Sequence, residues 1–149
     1  MGTVFNHLGH CVSDLERSRR FYVEALDFTP VREINPPDDL SAKLLRLKPP
    51  LGMTACYLER DGLVLELLHF SGDGSPVLPA RERVMNEPGL THISFSVDDV
   101  AATCARVREL GGEVLEDSDI GSGIFVRDPD GQLLELLPMS YRASLESEQ

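Results

Sequence analysis

Two glutamates stand where strands usually carry leucine. The octapeptide DGLVLELL at 61–68 and its echo DGQLLELL at 130–137 each drop one carboxylate, Glu66 or Glu135, into an apolar run. An ionised carboxylate among leucines is costly to bury, so it takes up a proton, finds a cation or ligates a metal. The same repetition supplies one histidine per copy. HLGHCVSDL at 7–15 and HISFSVDDV at 92–100 both open on His and run to a Val and an acidic turn. Val12 and Asp14 are spaced from His7 as Val97 and Asp99 are from His92. His7, Glu66, His92 and Glu135 therefore form a set of two imidazoles and two carboxylates. Such a mixed nitrogen and oxygen set suits Zn²⁺, Fe²⁺, Mn²⁺, Co²⁺ or Ni²⁺ better than Ca²⁺. Taken singly, a strand histidine is more often a hydrogen-bonded structural residue, and a strand glutamate more often faces solvent. The occurrence of both in two matching copies is what favours a metal.

The elements that must position these residues are legible from periodicity. In VFNHLGHCV, alternation puts Leu8, His10 and Val12 on one face and His7, Gly9 and Cys11 on the other. In LTHISFSV, Ile93, Phe95 and Val97 form an apolar face, and His92, Ser94 and Ser96 a polar one. A helix follows each strand. LERSRRFYVEAL takes Ser13 or Asp14 as its cap; VAATCARVREL takes Asp98 or Asp99 and stops at Gly111-Gly112. Further strands are expected over 29–34, 43–48, 53–59 and 63–70, then over 113–116, 123–127 and 132–137, with turns at ERDG, GSG and DPDG. The fold class is α+β: one domain of two βαβββ modules, about 1–75 and 88–149. A linker at 76–87 should carry a short helix near 79–87, and the polar tail SYRASLESEQ should fray.

Composition narrows the partners. Fourteen basic side chains against 25 acidic ones leave a net charge of −11, which repels nucleic acid and anionic membrane surfaces. No apolar stretch approaches the roughly 20 residues of a spanning helix, and the N-terminus lacks a signal-peptide pattern, so a cytoplasmic protein is expected. Cys11, Cys56 and Cys104, each in an apolar segment, read as buried free thiols. Arg32, Lys43, Arg46 and Lys48 could bind a carboxylate or a phosphate, although a solvated strand face is the commoner role for such a cluster. His10, opposite His7, reads as structural; Tyr57 could reach the site, although a packed core tyrosine is the commoner role.

The phrases NHLGHCVSDLERSRRFYVEALDF, GLTHISFSVDDV and VRDPDGQLLELLP resemble the vicinal oxygen chelate superfamily, and the resemblance spans 4–138. That superfamily includes glyoxalase I, methylmalonyl-CoA epimerase, extradiol dioxygenases, fosfomycin-resistance proteins and bleomycin-binding proteins. The resemblance implies two βαβββ modules in a cupped mixed sheet around one divalent ion. Its ligands would be His7, Glu66, His92 and Glu135. It also implies a homodimer, with the cup built within one chain or across two. The His-Glu-His-Glu set matches bacterial glyoxalase I (lactoylglutathione lyase), whereas the epimerase often has Gln at the first acidic ligand. Extradiol dioxygenases and fosfomycin-resistance proteins use three protein ligands, and bleomycin-binding proteins generally lack the metal. The implied function is a divalent-metal-dependent lyase or isomerase that transfers a proton through a metal-stabilised enediolate or enolate of a small-molecule substrate. Glu135 would be the base and Glu66 its partner. The alternatives are an epimerase-like enzyme, an extradiol-type dioxygenase, or a metal-free module that binds a small molecule.

Overall fold

A computed structural model describes residues 2–148 of the chain. One compact unit carries the residues up to Val23 together with Asp27–Pro79; a second carries Glu24–Leu26 and the residues from Ala80 on. Each holds a four-stranded mixed sheet. The fold is α+β, and the strand order repeats from one sheet to the other.

The first sheet is built from β1 (Leu8–Cys11), β2 (Thr29–Ile34), β3 (Met53–Arg60) and β4 (Leu63–Phe70), with α1 (Leu15–Leu26) after β1 and α2 (Asp38–Leu45) after β2. Its spatial order is β1-β4-β3-β2, with β1 parallel to β4 and the other pairs antiparallel. Asp14 caps α1, its side chain accepting from the Arg17 N–H at 3.0 Å. Strand alternation separates the faces of β4. Leu65 and Leu67 are fully buried on the side that His10 shares, and Tyr22 of α1 meets His10 edge-on at 6.0 Å. Burying each such leucine contributes about 1.5–3 kcal/mol. Glu66 lies on the other side.

The second sheet is built from β5 (His92–Val97), β6 (Glu113–Leu115), β7 (Ile124–Arg127) and β8 (Leu133–Pro138), with α3 (Val100–Glu109) after β5 and α4 (Met139–Ser147) after β8. Its order is β5-β8-β7-β6. Asp99 caps α3 by accepting from the Ala102 N–H at 2.9 Å, and Gly111, with φ +88°, turns the chain out of the helix. Leu134, Leu136 and Val126 are fully buried, with Phe95 and Val97 beside them in the core.

Several expectations are corrected. β1 begins at Leu8, so His7 stands just before the strand. Residues 43–48 are not a strand: α2 occupies Asp38–Leu45, and Arg46 ends it with φ 58°. The start signal is Pro36-Pro37 followed by two first-turn aspartates, which suit the positive end of a helix dipole. Without the extra strand, the first unit keeps the βαβββ order, with α2 inserted. The segment 79–87 forms no helix. A backbone turn bond from the Glu87 N–H to the Val84 carbonyl lies within it, Arg81 pairs with Glu87 at 2.6 Å, and Arg83 donates to the Leu90 and Pro88 carbonyls. The tail does not fray at once: α4 runs to Ser147, with an Arg142–Glu146 pair at 2.8 Å along its exposed face. Cys56 and Cys104 are buried, but Cys11 is exposed. No helix of the described residues is long and apolar enough to cross a membrane.

Candidate metal centre

Glu66 sits in mid-β4. Strand register sets Gly9 of β1 on one side of it and Tyr57 of β3 on the other, and Tyr57 stands opposite Arg32 of β2. One row across the sheet therefore reads Gly9, Glu66, Tyr57, Arg32. The corresponding row in the second sheet reads Ser94, Glu135, Phe125, Leu115.

The histidines approach these rows in the same way. His7 Nε2 lies 3.5 Å from Glu66 Oε1, and His92 Nε2 lies 3.7 Å from Glu135 Oε2. Each ring is oriented through its other nitrogen by the preceding residue. His7 Nδ1 is 2.5 Å from Asn6 Oδ1, and His92 Nδ1 is 2.8 Å from Thr91 Oγ1. Asn6 Oδ1 only accepts, so Nδ1 of His7 is the donor in this contact. Each ring also stands edge-on to an aromatic of its row: His7 to Tyr57 at 5.7 Å, His92 to Phe125 at 5.2 Å.

Each glutamate has a hydroxyl donor. Ser94 Oγ donates to Glu135 Oε2 at 2.6 Å. The Tyr57 hydroxyl hydrogen-bonds Glu66, and that bond, followed by burial and the Glu66 charge, pushes the Tyr57 pKa up to about 12, with Arg32 opposing. Glu66 is buried, whereas the Glu135 side chain is 27% exposed.

Two donors bound to one ion at about 2.0–2.2 Å stand roughly 3.0–3.5 Å apart; His7 and Glu66, at 3.5 Å, meet that spacing, and His92 and Glu135, at 3.7 Å, stand slightly wider than it. Partners that orient each imidazole and each carboxylate are what metal ligands require. The structure brings His7 to Glu66 and His92 to Glu135. Among the described residues, no group of three or more His, Cys, Asp or Glu could hold an ion together.

Sequence reasoning missed Asn6 and Thr91, although both are polar residues directly before a singled-out histidine. Tyr57 is packed, as expected, against the cluster of Ala42, Leu51, Met53 and Ala55, but it also serves Glu66. Ser94 was legible as part of a polar face; its bond to Glu135 was not. His69 pairs with Thr54, on the face of β4 away from Glu66. Lys43 lies on α2 and Arg46 at its end, so the expected basic strand face dissolves and leaves Arg32 alone on a strand.

The model of the Glyoxalase/Bleomycin resistance protein/Dioxygenase superfamily matches residues 4–136. An ethylmalonyl-CoA/methylmalonyl-CoA epimerase of Cereibacter sphaeroides is 29% identical, with 88% of this chain and 94% of that protein covered. A lactoylglutathione lyase of Pseudomonas putida is 31% identical, over 90% of this chain and 84% of that protein. The trypanothione-dependent glyoxalase I of Leishmania major superposes with a TM-score of 0.64 at 28% identity, covering 95% of this chain and 93% of that one. With the repeated sheet order and two matched histidine–glutamate pairs, these similarities lead to one conclusion: the chain belongs to the Glyoxalase/Bleomycin resistance protein/Dioxygenase superfamily.

Proposed function

We propose that this chain is a divalent-metal-dependent lyase or isomerase of the glyoxalase type. His7, Glu66, His92 and Glu135 hold the ion (Zn, Ni, Co, Mn or Fe), and Glu135 moves a proton on a small-molecule substrate. The observation that carries the reading is the pair of histidine–glutamate contacts at equivalent places in two sheets. The ion, when bound, supplies Lewis-acid stabilisation for negative charge that develops on an oxygen as the neighbouring carbon loses its proton. The two imidazoles offer Nε2, fixed by Asn6 and Thr91. Glu66, buried and held by Tyr57, is suited to a fixed ligand. Glu135 is more open, with 27% of its side chain exposed against 10% for Glu66. Ser94 steadies one of its oxygens and leaves the other to take a proton and return it. A base in that role must come within about 2.6–3.2 Å of the proton, or act through one water.

The relatives named lactoylglutathione lyase and epimerase both support chemistry at an acidic C–H. The test is exchange of that hydrogen for solvent deuterium, screened over hemithioacetals and 2-methyl-branched acyl-CoA esters with metal-loaded protein. Wild type should exchange on one of these classes. Glu135→Gln should keep some metal but lose roughly 10²–10⁴-fold in rate. Equal exchange by the variant would remove Glu135 from the role of base. Oxygen consumption with a catechol, and no exchange on any substrate, would replace the proposal with a dioxygenase.

A further inference from the structure

The row Gly9, Glu66, Tyr57, Arg32 ends on a cation, and the corresponding row of the second sheet ends on Leu115. Arg32 reaches that place through an irregularity. β2 pairs with β3 as Thr29 with Glu59 and Pro30 with Leu58, but the register then shifts, so that Arg32 and not Val31 faces Tyr57. Pro30 has no N–H to give the ladder, and β2 is an edge strand, where prolines and bulges are tolerated. An uninterrupted ladder would set Val31 in the row; instead Val31 is 63% exposed. Bulges near functional sites commonly re-aim a side chain. Here the bulge leaves an apolar residue in solvent and puts an arginine on the face that carries Glu66.

Arg32 also differs from the arginine on the corresponding face of the second sheet. Arg127 pairs with Glu113 and Glu82, each at 3.1 Å, and is neutralised within the protein. Arg32 is exposed and makes no ion pair or hydrogen bond with another of the described residues. The acid in the adjacent row, Glu59, is engaged with the Gly62 N–H at 2.7 Å. In a chain of net charge −11, an open guanidinium on the ligand-bearing face is a local exception to the field. Ile34, Ala55 and the α2 cluster beside it give that stretch of the face an apolar wall.

We propose that Arg32 is the anion-recognising residue of the site, binding a carboxylate or phosphate of the substrate or of its carrier. Two inter-strand spacings, about 10 Å along the row, separate it from Glu66. The guanidinium fork suits either anion, bound through two parallel N–H donors. This rests on the proposed reading of the site, and the test separates the two.

Metal-loaded wild type, Arg32→Leu and Arg32→Lys would each be titrated by calorimetry with methyl phosphate and with succinate, using succinamide as the uncharged control. Metal affinity would be measured on the same preparations. Arg32→Leu places at this position the residue type that its counterpart in the second sheet already carries. It should weaken binding of at least one anion roughly tenfold or more, the size expected for a lost charge-assisted hydrogen bond. Arg32→Lys should fall between the two. Succinamide binding and metal affinity should stay unchanged. The anion with the larger loss identifies the group recognised. If both anions bind Arg32→Leu as tightly as wild type, or bind wild type no better than succinamide does, Arg32 is not an anion site. A failure of the metal reading would show separately, as absent stoichiometric metal in all three proteins.

Discussion

At the scale of single residues, each half-site is a small hierarchy: a histidine and a glutamate that face one another, and neighbours that aim them. The two ranks should respond differently to substitution. His92→Ala removes a proposed ligand, and stoichiometric divalent metal binding should be lost while the chain stays folded, as read by calorimetry and circular dichroism. Tyr57→Phe keeps the ring beside His7 but removes the hydroxyl from Glu66. Metal affinity should then fall within the 10–100-fold range of a partner that only orients a ligand. A Tyr57→Phe protein with wild-type affinity would show that the phenol serves packing alone. The four singled-out residues were legible because each was repeated: a carboxylate in an apolar run and a histidine before an acidic turn, twice over. Tyr57 and Ser94 were not, because their partners lie across strands. No spacing along the chain says that residue 57 meets residue 66 or that residue 94 meets residue 135; only the register does.

At the scale of elements, local signals were the reliable ones. Asp14 and Asp99 each sit just before an apolar-periodic stretch and accept from the N–H three residues on, so both helix starts could be read to within one residue. Asp14→Ala and Asp99→Ala should each cost about 1 kcal/mol of stability. Urea denaturation should show the loss as a lower midpoint with an unchanged slope. Loss in one variant only would mean that the other cap is replaced by water. α2 was hidden because KLLRLK alternates well enough to pass for a strand. Its helical character lies in the paired aspartates of its first turn and in Ala42 and Leu45, which pack on the cluster around Ala55. Asp38 also ties the helix start to the chain beyond it, accepting from the Leu51 and Gly52 N–H groups, a link of 13 and 14 residues that periodicity cannot register. The bulge in β2 was invisible for a related reason. Pro30 marks where a ladder can break, but the residue that enters the row depends on the partner strand.

At the scale of the whole molecule, the two proposed ligand pairs pose a problem of assembly. Each pair supplies two protein donors, fewer than the three or four that hold a zinc-type ion. Each also stands beside an edge strand: β1 and β5 are the outermost strands of their sheets on the side of the histidines. An unpaired edge exposes N–H and C=O groups that invite a partner, and a neighbour carrying the complementary pair would complete both the edge and the ligand set. We propose a homodimer, which sedimentation at micromolar concentration should show. A monomer that binds metal with full stoichiometry would count against this assembly. Mixed dimers then report where each centre draws its ligands. His7→Ala and His92→Ala proteins should each bind no metal alone. If a centre takes one pair from each copy, a dimer of the two variants has one doubly damaged site and one intact site, so a purified mixed dimer regains half the wild-type metal. If each chain completes its own centre, both sites stay broken and none returns.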